Sequence, residues 1–87
     1  MTAEGLEALF PSDEHGNTSS FEYDTGIQRF VGHVICRDFR GVSISQRQKQ
    51  VFATIEEQFA EEAQLVSLVL TFTPEEWDEV NEEAASA

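Results

Sequence analysis

The clearest pattern of apolar positions lies between residues 43 and 63. From Ile44, apolar residues recur at intervals of seven, four, four and four, as in one stripe along a helix. The stripe continues through Val51, Ile55, Phe59 and Ala63. Ser43 and Gln46 have the spacing of a capping box, in which each side chain binds the other's backbone N–H. Gln48 projects into the apolar arc, so its amide needs a partner opposite. The pattern predicts a long helix from Ser43 to Ala63.

Apolar and polar residues alternate between residues 19 and 39, which predicts strands. Phe21 and Tyr23 share one face of a first strand, and the Asp-Thr-Gly that follows is typical of a turn. In the second strand, Phe30 and Val34 share one face while His33 lies on the other. We therefore expect a β-hairpin.

A third strand and two further helices complete the pattern. Residues 65–72, LVSLVLTF, form a nearly continuous apolar run, which predicts a strand buried on both faces. Thr73, Pro74 and Glu76 then have the positions of an N-cap, a first helical residue and a capping-box carboxylate. The segment AEGLEALF, which ends before Pro11, predicts a short N-terminal helix.

The predicted order is helix, strand, strand, helix, strand, helix. It favours an α/β (α+β) fold with a three-stranded mixed sheet and helices packed on one face. At 87 residues the chain forms one domain over residues 1–87, with a short helix and loop over 1–18 and a frayed acidic tail over 82–87. The predicted core consists of Val51, Ile55, Phe59, Leu68, Leu70 and Trp77.

Charge changes this picture, because the net charge is −12. All five basic residues lie between Arg29 and Lys49, whereas ten acidic residues and no basic residue follow position 50. The acidic excess opposes phosphate binding over the whole surface and favours solubility. The single cysteine excludes an internal disulfide, and no apolar run is long enough to span a membrane. A cytoplasmic protein with no membrane contact is expected.

The gathered positive charge suggests a binding surface. Arg40, Arg47 and Lys49, named here the basic band, are the predicted partner-binding residues, and a solvated surface is the alternative. Arg47 borders the apolar stripe, so its stem is expected to pack while its charged head stays in solvent.

Three side chains are weak candidates for a metal: His33, Cys36 and His15. His33 and Cys36 are three positions apart on one strand, so they point to opposite faces. His15 lies in a loop with Asp13 and Glu14, which is a weak ligand set. The sequence therefore predicts no metal site.

Three stretches of the sequence resemble the BolA family. RFVGHVICRDFRG is similar to the family's second strand and glycine turn, VSISQRQKQVF to the start of its long helix, and LTFTPEEW to its Lys-Thr-x-Thr-Pro-Glu-Glu-Trp motif. The matching positions are Phe39, Gly41, Ser43, Arg47, Val51, Thr71, Thr73, Pro74 and Trp77, with Lys49 in place of the family's second arginine. The resemblance covers residues 30–80 and implies a small domain similar to the class II KH fold.

The resemblance also implies a partner and a cofactor. Members of the family share an iron–sulfur cluster with a monothiol glutaredoxin, using a histidine before the third strand and a cysteine or histidine in the hairpin loop. Leu65 occupies the first of these positions, the turn DTGIQ has neither residue, and Gln48 replaces the histidine of Arg-His-Arg. Because leucine and glycine side chains offer no lone pairs to iron, we expect no cofactor here.

Several functions follow from these observations. We expect a non-catalytic BolA-like adaptor or regulatory protein that binds a protein partner, with a monothiol glutaredoxin as the implied candidate. The alternative is a KH-like nucleic-acid-binding or transcription-regulating module, although the chain has no Gly-x-x-Gly loop. A further alternative is an acidic interaction protein with another role. An enzyme is not expected, because Cys36 has no base on its own face and no catalytic carboxylate motif is present.

Overall fold

The computed structural model describes the backbone of residues 1–86 and the side chains of residues 1–82. The elements are, in order, α1 (Ala3–Leu9), β1 (Thr18–Asp24), β2 (Arg29–Ile35), α2 (Ile44–Phe59), β3 (Val66–Phe72) and α3 (Pro74–Ser86). Two 3-10 helical segments, Arg37–Phe39 and Ala60–Leu65, flank α2. The predicted α+β class and element order are confirmed. The predicted fraying over residues 82–87 reaches beyond the described residues and stays a prediction.

The strand β2 lies at the centre of the three-stranded sheet. It pairs antiparallel with β1 and parallel with β3, so the sheet is mixed as predicted. α2 supplies the long crossover that a parallel connection requires. Gly32 is needed at the sheet centre because Phe21 lies opposite, and a Cβ on Gly32 would lie 2.9 Å from the Phe21 Cα. The Phe21 ring therefore packs where a side chain would otherwise stand.

The helix starts are those that the capping pattern predicts. The Ser43 hydroxyl accepts from the Gln46 backbone N–H at 3.2 Å. At the start of α3 the capping box is reciprocal, because the Glu76 N–H donates to the Thr73 hydroxyl at 3.1 Å and the Thr73 N–H donates to the Glu76 carboxylate at 2.8 Å. Local sequence thus fixes where α2 and α3 begin.

The end of α2 differs from the sequence-based prediction. The helix ends at Phe59, not at Ala63, because Ala60 takes a positive φ of 53°. The chain then tightens into the 3-10 segment that leads to β3, and Ala63 is buried there. A non-glycine residue at this φ is strained, so contacts around the segment hold it in place.

The core lies between one face of the sheet and the helices α1 and α2. Val51 and Ile55, which were predicted in the core, are buried, and Phe59 packs against the core partly exposed. The cluster is Leu6, Phe21, Phe30, Val34, Phe39, Val51, Ile55, Ala63, Val66 and Val69. These residues come from every strand, so α1 and α2 cover a single continuous core face.

The prediction that Leu68 and Leu70 lie in the core is wrong. Their exposed fractions are 52% and 49%. The strand pairing shifts between Phe30 and Val31, which inserts Ser67 as an extra residue in β3. Val66 and Val69 therefore both face the core, and the two leucines face the other side of the sheet.

This other side is covered only in part. We call it the open face; it carries Glu22 of β1, Val31 and His33 of β2, and Leu68 and Leu70 of β3. Trp77 of α3 contacts it rather than the core, with its ring centroid 4.5 Å from that of His33. The expectation that all helices pack on one face therefore holds for α1 and α2, whereas α3 reaches the opposite face.

At both edges of the sheet, side chains from the helices bind some of the outward-facing backbone groups. Glu7 of α1 accepts a hydrogen bond from the backbone N–H of Phe21 in β1, at 2.8 Å. At the β3 edge, Gln48 donates to the Val69 carbonyl and Arg47 donates to the Thr71 carbonyl. Successive carbonyls of a strand point to opposite sides, and the Phe72 carbonyl accepts from the Cys36 N–H on the β2 side. The Val69 and Thr71 carbonyls therefore point away from β2.

Candidate functional site

Two of the three members of the basic band, Arg40 and Arg47, form ion pairs within the molecule. Arg47 is buried, against the expectation of a solvated head. Its Nε donates to the Val42 carbonyl at 2.8 Å, and its terminal nitrogens donate to the Glu76 carboxylate at 2.7 and 3.4 Å. Its guanidinium carbon also lies 5.6 Å from the centroid of the Phe39 ring. Arg47 thus joins α2, β3 and α3.

The other two members of the basic band are exposed. Arg40 forms an ion pair with Glu75, the neighbour of Glu76 in the first turn of α3. Hydrogen bonding to Arg40 and to Arg47 lowers the pKa of the Glu75 and Glu76 carboxyls respectively. Lys49 has no ion pair among the residues whose side chains are described. Within the basic band, Lys49 is thus the one member without an ion pair to a described side chain, whereas Arg40 and Arg47 both bind carboxylates in the first turn of α3.

Gln48, which replaces the histidine of the BolA pattern, has a structural partner. Its side-chain amide donates to the Val69 carbonyl at the β3 edge. The prediction that this amide finds a partner opposite is confirmed. The bond connects the middle of β3 to α2 from the side, where no further strand satisfies that carbonyl.

The three candidate metal ligands lie in different surroundings. His33 stacks on Trp77 on the open face, Cys36 packs partly buried against the core, and His15 is exposed in the loop after α1. Within the part of the chain that the structure describes, no three His, Cys, Asp or Glu side chains are grouped to hold a metal ion. This arrangement does not fit the iron–sulfur cluster that the BolA resemblance implies.

The open face is a surface that the sequence did not predict. Successive rows cross the three strands: Glu22, Val31 and Leu68 form one row, and Ser20, His33 and Leu70 form the next. The leucines stand half exposed at the β3 side, whereas the β1 side is polar. The available signal is the run of apolar residues at successive positions of β3, which predicts burial on both faces, whereas the structure covers only one of them.

Trp77 closes one end of the open face. Its ring lies 4.5 Å from the His33 ring and 5.3 Å from the Phe72 ring, between centroids. Partial burial lowers the pKa of His33, so the neutral imidazole is favoured in the folded protein. The result is a neutral, apolar strip bounded by Trp77 at one end and by Glu22 at the side.

Comparison with known proteins gives no family. No family model matches the sequence, and no curated protein matches it. Among the described residues, none of the helices has the length and apolarity needed to cross a membrane. The structure shows an α+β domain with a three-stranded mixed sheet. A proposal about function must be argued from the surfaces described above.

Proposed function

We propose that this protein is a non-catalytic BolA-like adaptor or regulatory protein that binds a partner protein through the open face. The observation that carries the proposal is the exposure of Leu68 and Leu70, at 52% and 49%, beside Val31 on one sheet face. Adjacent apolar side chains on a rigid sheet are typical of an interaction surface, because a partner that covers them removes apolar area from water.

The open face supports partner binding better than the basic band does. A partner that approaches Arg40 and Arg47 with carboxylates would have to displace Glu75 and Glu76 and would release the start of α3. Leu68 and Leu70 require no such displacement. The same ion pairs also reduce the positive charge available to phosphates, which weakens the KH-like alternative.

The BolA resemblance suggests a monothiol glutaredoxin as the first partner to test. The experiment measures binding of a purified monothiol glutaredoxin by isothermal titration calorimetry, with wild-type protein and a Leu68→Ser, Leu70→Ser double variant. Ile44→Ser is the matched control, because Ile44 is 58% exposed at the start of α2, away from the open face. Circular dichroism checks that each variant is folded.

We expect binding by the wild type and by Ile44→Ser, and a loss of about tenfold or more in the double variant. Equal affinity of the folded double variant and the wild type would contradict the open face as the binding surface. If Lys49→Glu weakens glutaredoxin binding and the double variant does not, the basic band rather than the open face is the binding surface.

A further inference from the structure

We infer that the occupant of the open face is a basic amphipathic helix of the partner protein. This inference rests on the proposed function and adds the chemistry of the partner. It follows from the apolar side chains of Val31, Leu68 and Leu70, from the hydrogen bonds at the sheet edges and from the charge around the face.

The apolar part of the open face matches the apolar stripe of one helix in size. Leu68 and Leu70 lie two positions apart on β3, about 7 Å along the strand, and Val31 lies beside Leu68 on β2. A helix that crosses the sheet presents apolar side chains at i, i+3, i+4 and i+7 over a comparable width. Trp77 closes one end of this strip, so the helix would lie toward Val31 and the hairpin.

A strand is disfavoured as the occupant because helix side chains already bind three of the backbone groups at the sheet edges. An added strand needs free N–H and C=O groups at an edge. At the β3 edge, the Val69 and Thr71 carbonyls accept from Gln48 and Arg47, and at the β1 edge the Phe21 N–H donates to Glu7. A partner that covers the apolar face itself is therefore favoured over one at an edge, and a helix packed on a sheet is the usual solution.

Charge selects a basic helix. Glu22 lies in the same row as Val31 and Leu68, and its carboxylate has no hydrogen bond or ion pair among the described residues. This face also carries Asp24 and Arg29 opposite each other at the hairpin end, where Arg29 donates to the Gln28 carbonyl and Asp24 accepts from the turn backbone, so Glu22 leaves the three side chains with a net negative charge. A second copy of this chain is disfavoured, because two molecules of net charge −12 repel and would bring Glu22 toward an equally acidic surface.

The test uses two labelled helical peptides of about 18 residues, which is about five turns. One carries leucines on one face and lysines on the other, and the second has the same leucines with glutamates in place of the lysines. Fluorescence anisotropy measures the affinity of each peptide for the full chain at low and high salt. Chemical shifts of the labelled wild-type protein locate the bound peptide.

We expect the Leu/Lys peptide to bind and the Leu/Glu peptide to bind at least about tenfold more weakly. The affinity for the Leu/Lys peptide should fall about tenfold in the double variant Leu68→Ser, Leu70→Ser and several-fold in Glu22→Lys. Glu57→Lys, an equal charge change at an exposed position of α2, should leave it within about twofold. Shifts should centre on Val31, Leu68 and Leu70.

Equal losses in Glu22→Lys and Glu57→Lys, or shifts spread over the acidic helices, would mean general attraction between opposite charges and would overturn the inference. Failure of both peptides to bind would also overturn it. If the glutaredoxin or another folded partner still depends on Leu68 and Leu70 in that case, the proposed function stands and only the partner's chemistry is wrong.

Discussion

Replacement of Arg47 by methionine tests whether the basic band is part of the fold or a free surface. The variant keeps a flexible apolar stem but removes the guanidinium, with its bonds to Val42, Thr71 and Glu76. The sequence alone predicts that the Arg47 guanidinium is solvated, and removal of a solvated charge changes the free energy of unfolding by no more than about 0.5 kcal/mol. The structure predicts a much larger effect.

The expected decrease in the free energy of unfolding depends on the bonds that Arg47 makes and on how well water solvates Glu76 without it. Breaking a buried ion pair by removal of one partner costs about 3–5 kcal/mol. Glu76 keeps 43% of its side chain exposed, so water solvates its carboxylate and that penalty is incurred only in part. The Val42 and Thr71 carbonyls lose their donor as well, at about 1–3 kcal/mol for each buried group left without a partner. We expect a decrease of about 3 kcal/mol in the free energy of unfolding, from a total of roughly 5–10 kcal/mol for a domain of this size. The melting temperature should fall by about 15 °C.

Urea denaturation followed by circular dichroism measures the change, with Lys49→Met as the matched control on the same helix. The control should unfold at nearly the wild-type urea concentration, because Lys49 is exposed and forms no ion pair among the described side chains. A double-mutant cycle with Glu76→Gln isolates the coupling across the pair. A loss below about 0.5 kcal/mol for Arg47→Met would refute the structural role and leave Arg47 available to a partner.

Four further outcomes are expected. Gly32→Ala should lower the free energy of unfolding by about 2 kcal/mol or more, because its Cβ would press on Phe21; an unchanged urea midpoint would contradict this. Thr71→Val should raise it by about 1 kcal/mol, since the buried Thr71 hydroxyl has no hydrogen-bond partner among the described residues, and a lower midpoint would argue against it. Because burial lowers the pKa of His33, its contribution to the free energy of unfolding is fully present above the usual pKa of 6.5 and is lost as the pH falls through the pKa of the folded protein. His33→Gln should reduce this pH dependence of the free energy of unfolding, as measured by urea titrations. Mixing with a cluster-loaded monothiol glutaredoxin should leave visible circular dichroism unchanged, whereas a new iron–sulfur spectrum that His33→Ala or His15→Ala abolishes would restore the family's cluster chemistry.

The elements that were predicted well are those fixed by local sequence. The capping residues Ser43 and Thr73 bond to groups three residues away, so their pattern is complete within one turn. The hairpin and the long helix follow from alternation and from the apolar stripe, which depend on neighbouring residues alone. These features needed no knowledge of how distant segments meet.

The features that sequence reasoning missed depend on distant contacts. Arg47 bonds to Thr71 and Glu76, which are 24 and 29 residues away, so its burial has no local signal. The exposure of Leu68 depends on an extra residue in the pairing of β2 and β3 and on where α3 lies. An apolar run such as residues 65–72 indicates a strand, but it does not reveal which face a helix leaves uncovered.

The two α2 side chains that bind carbonyls at the β3 edge have a consequence for folding. Val66–Phe72 is a seven-residue strand without charge or proline, the composition that favours ordered aggregation when an edge is free. The side chains that occupy this edge come from α2, so protection begins only when α2 docks on the sheet. A partly folded chain with the sheet formed and α2 detached would be the aggregating species. The tendency to aggregate should therefore follow the stability of α2 docking more closely than the net charge of the native surface.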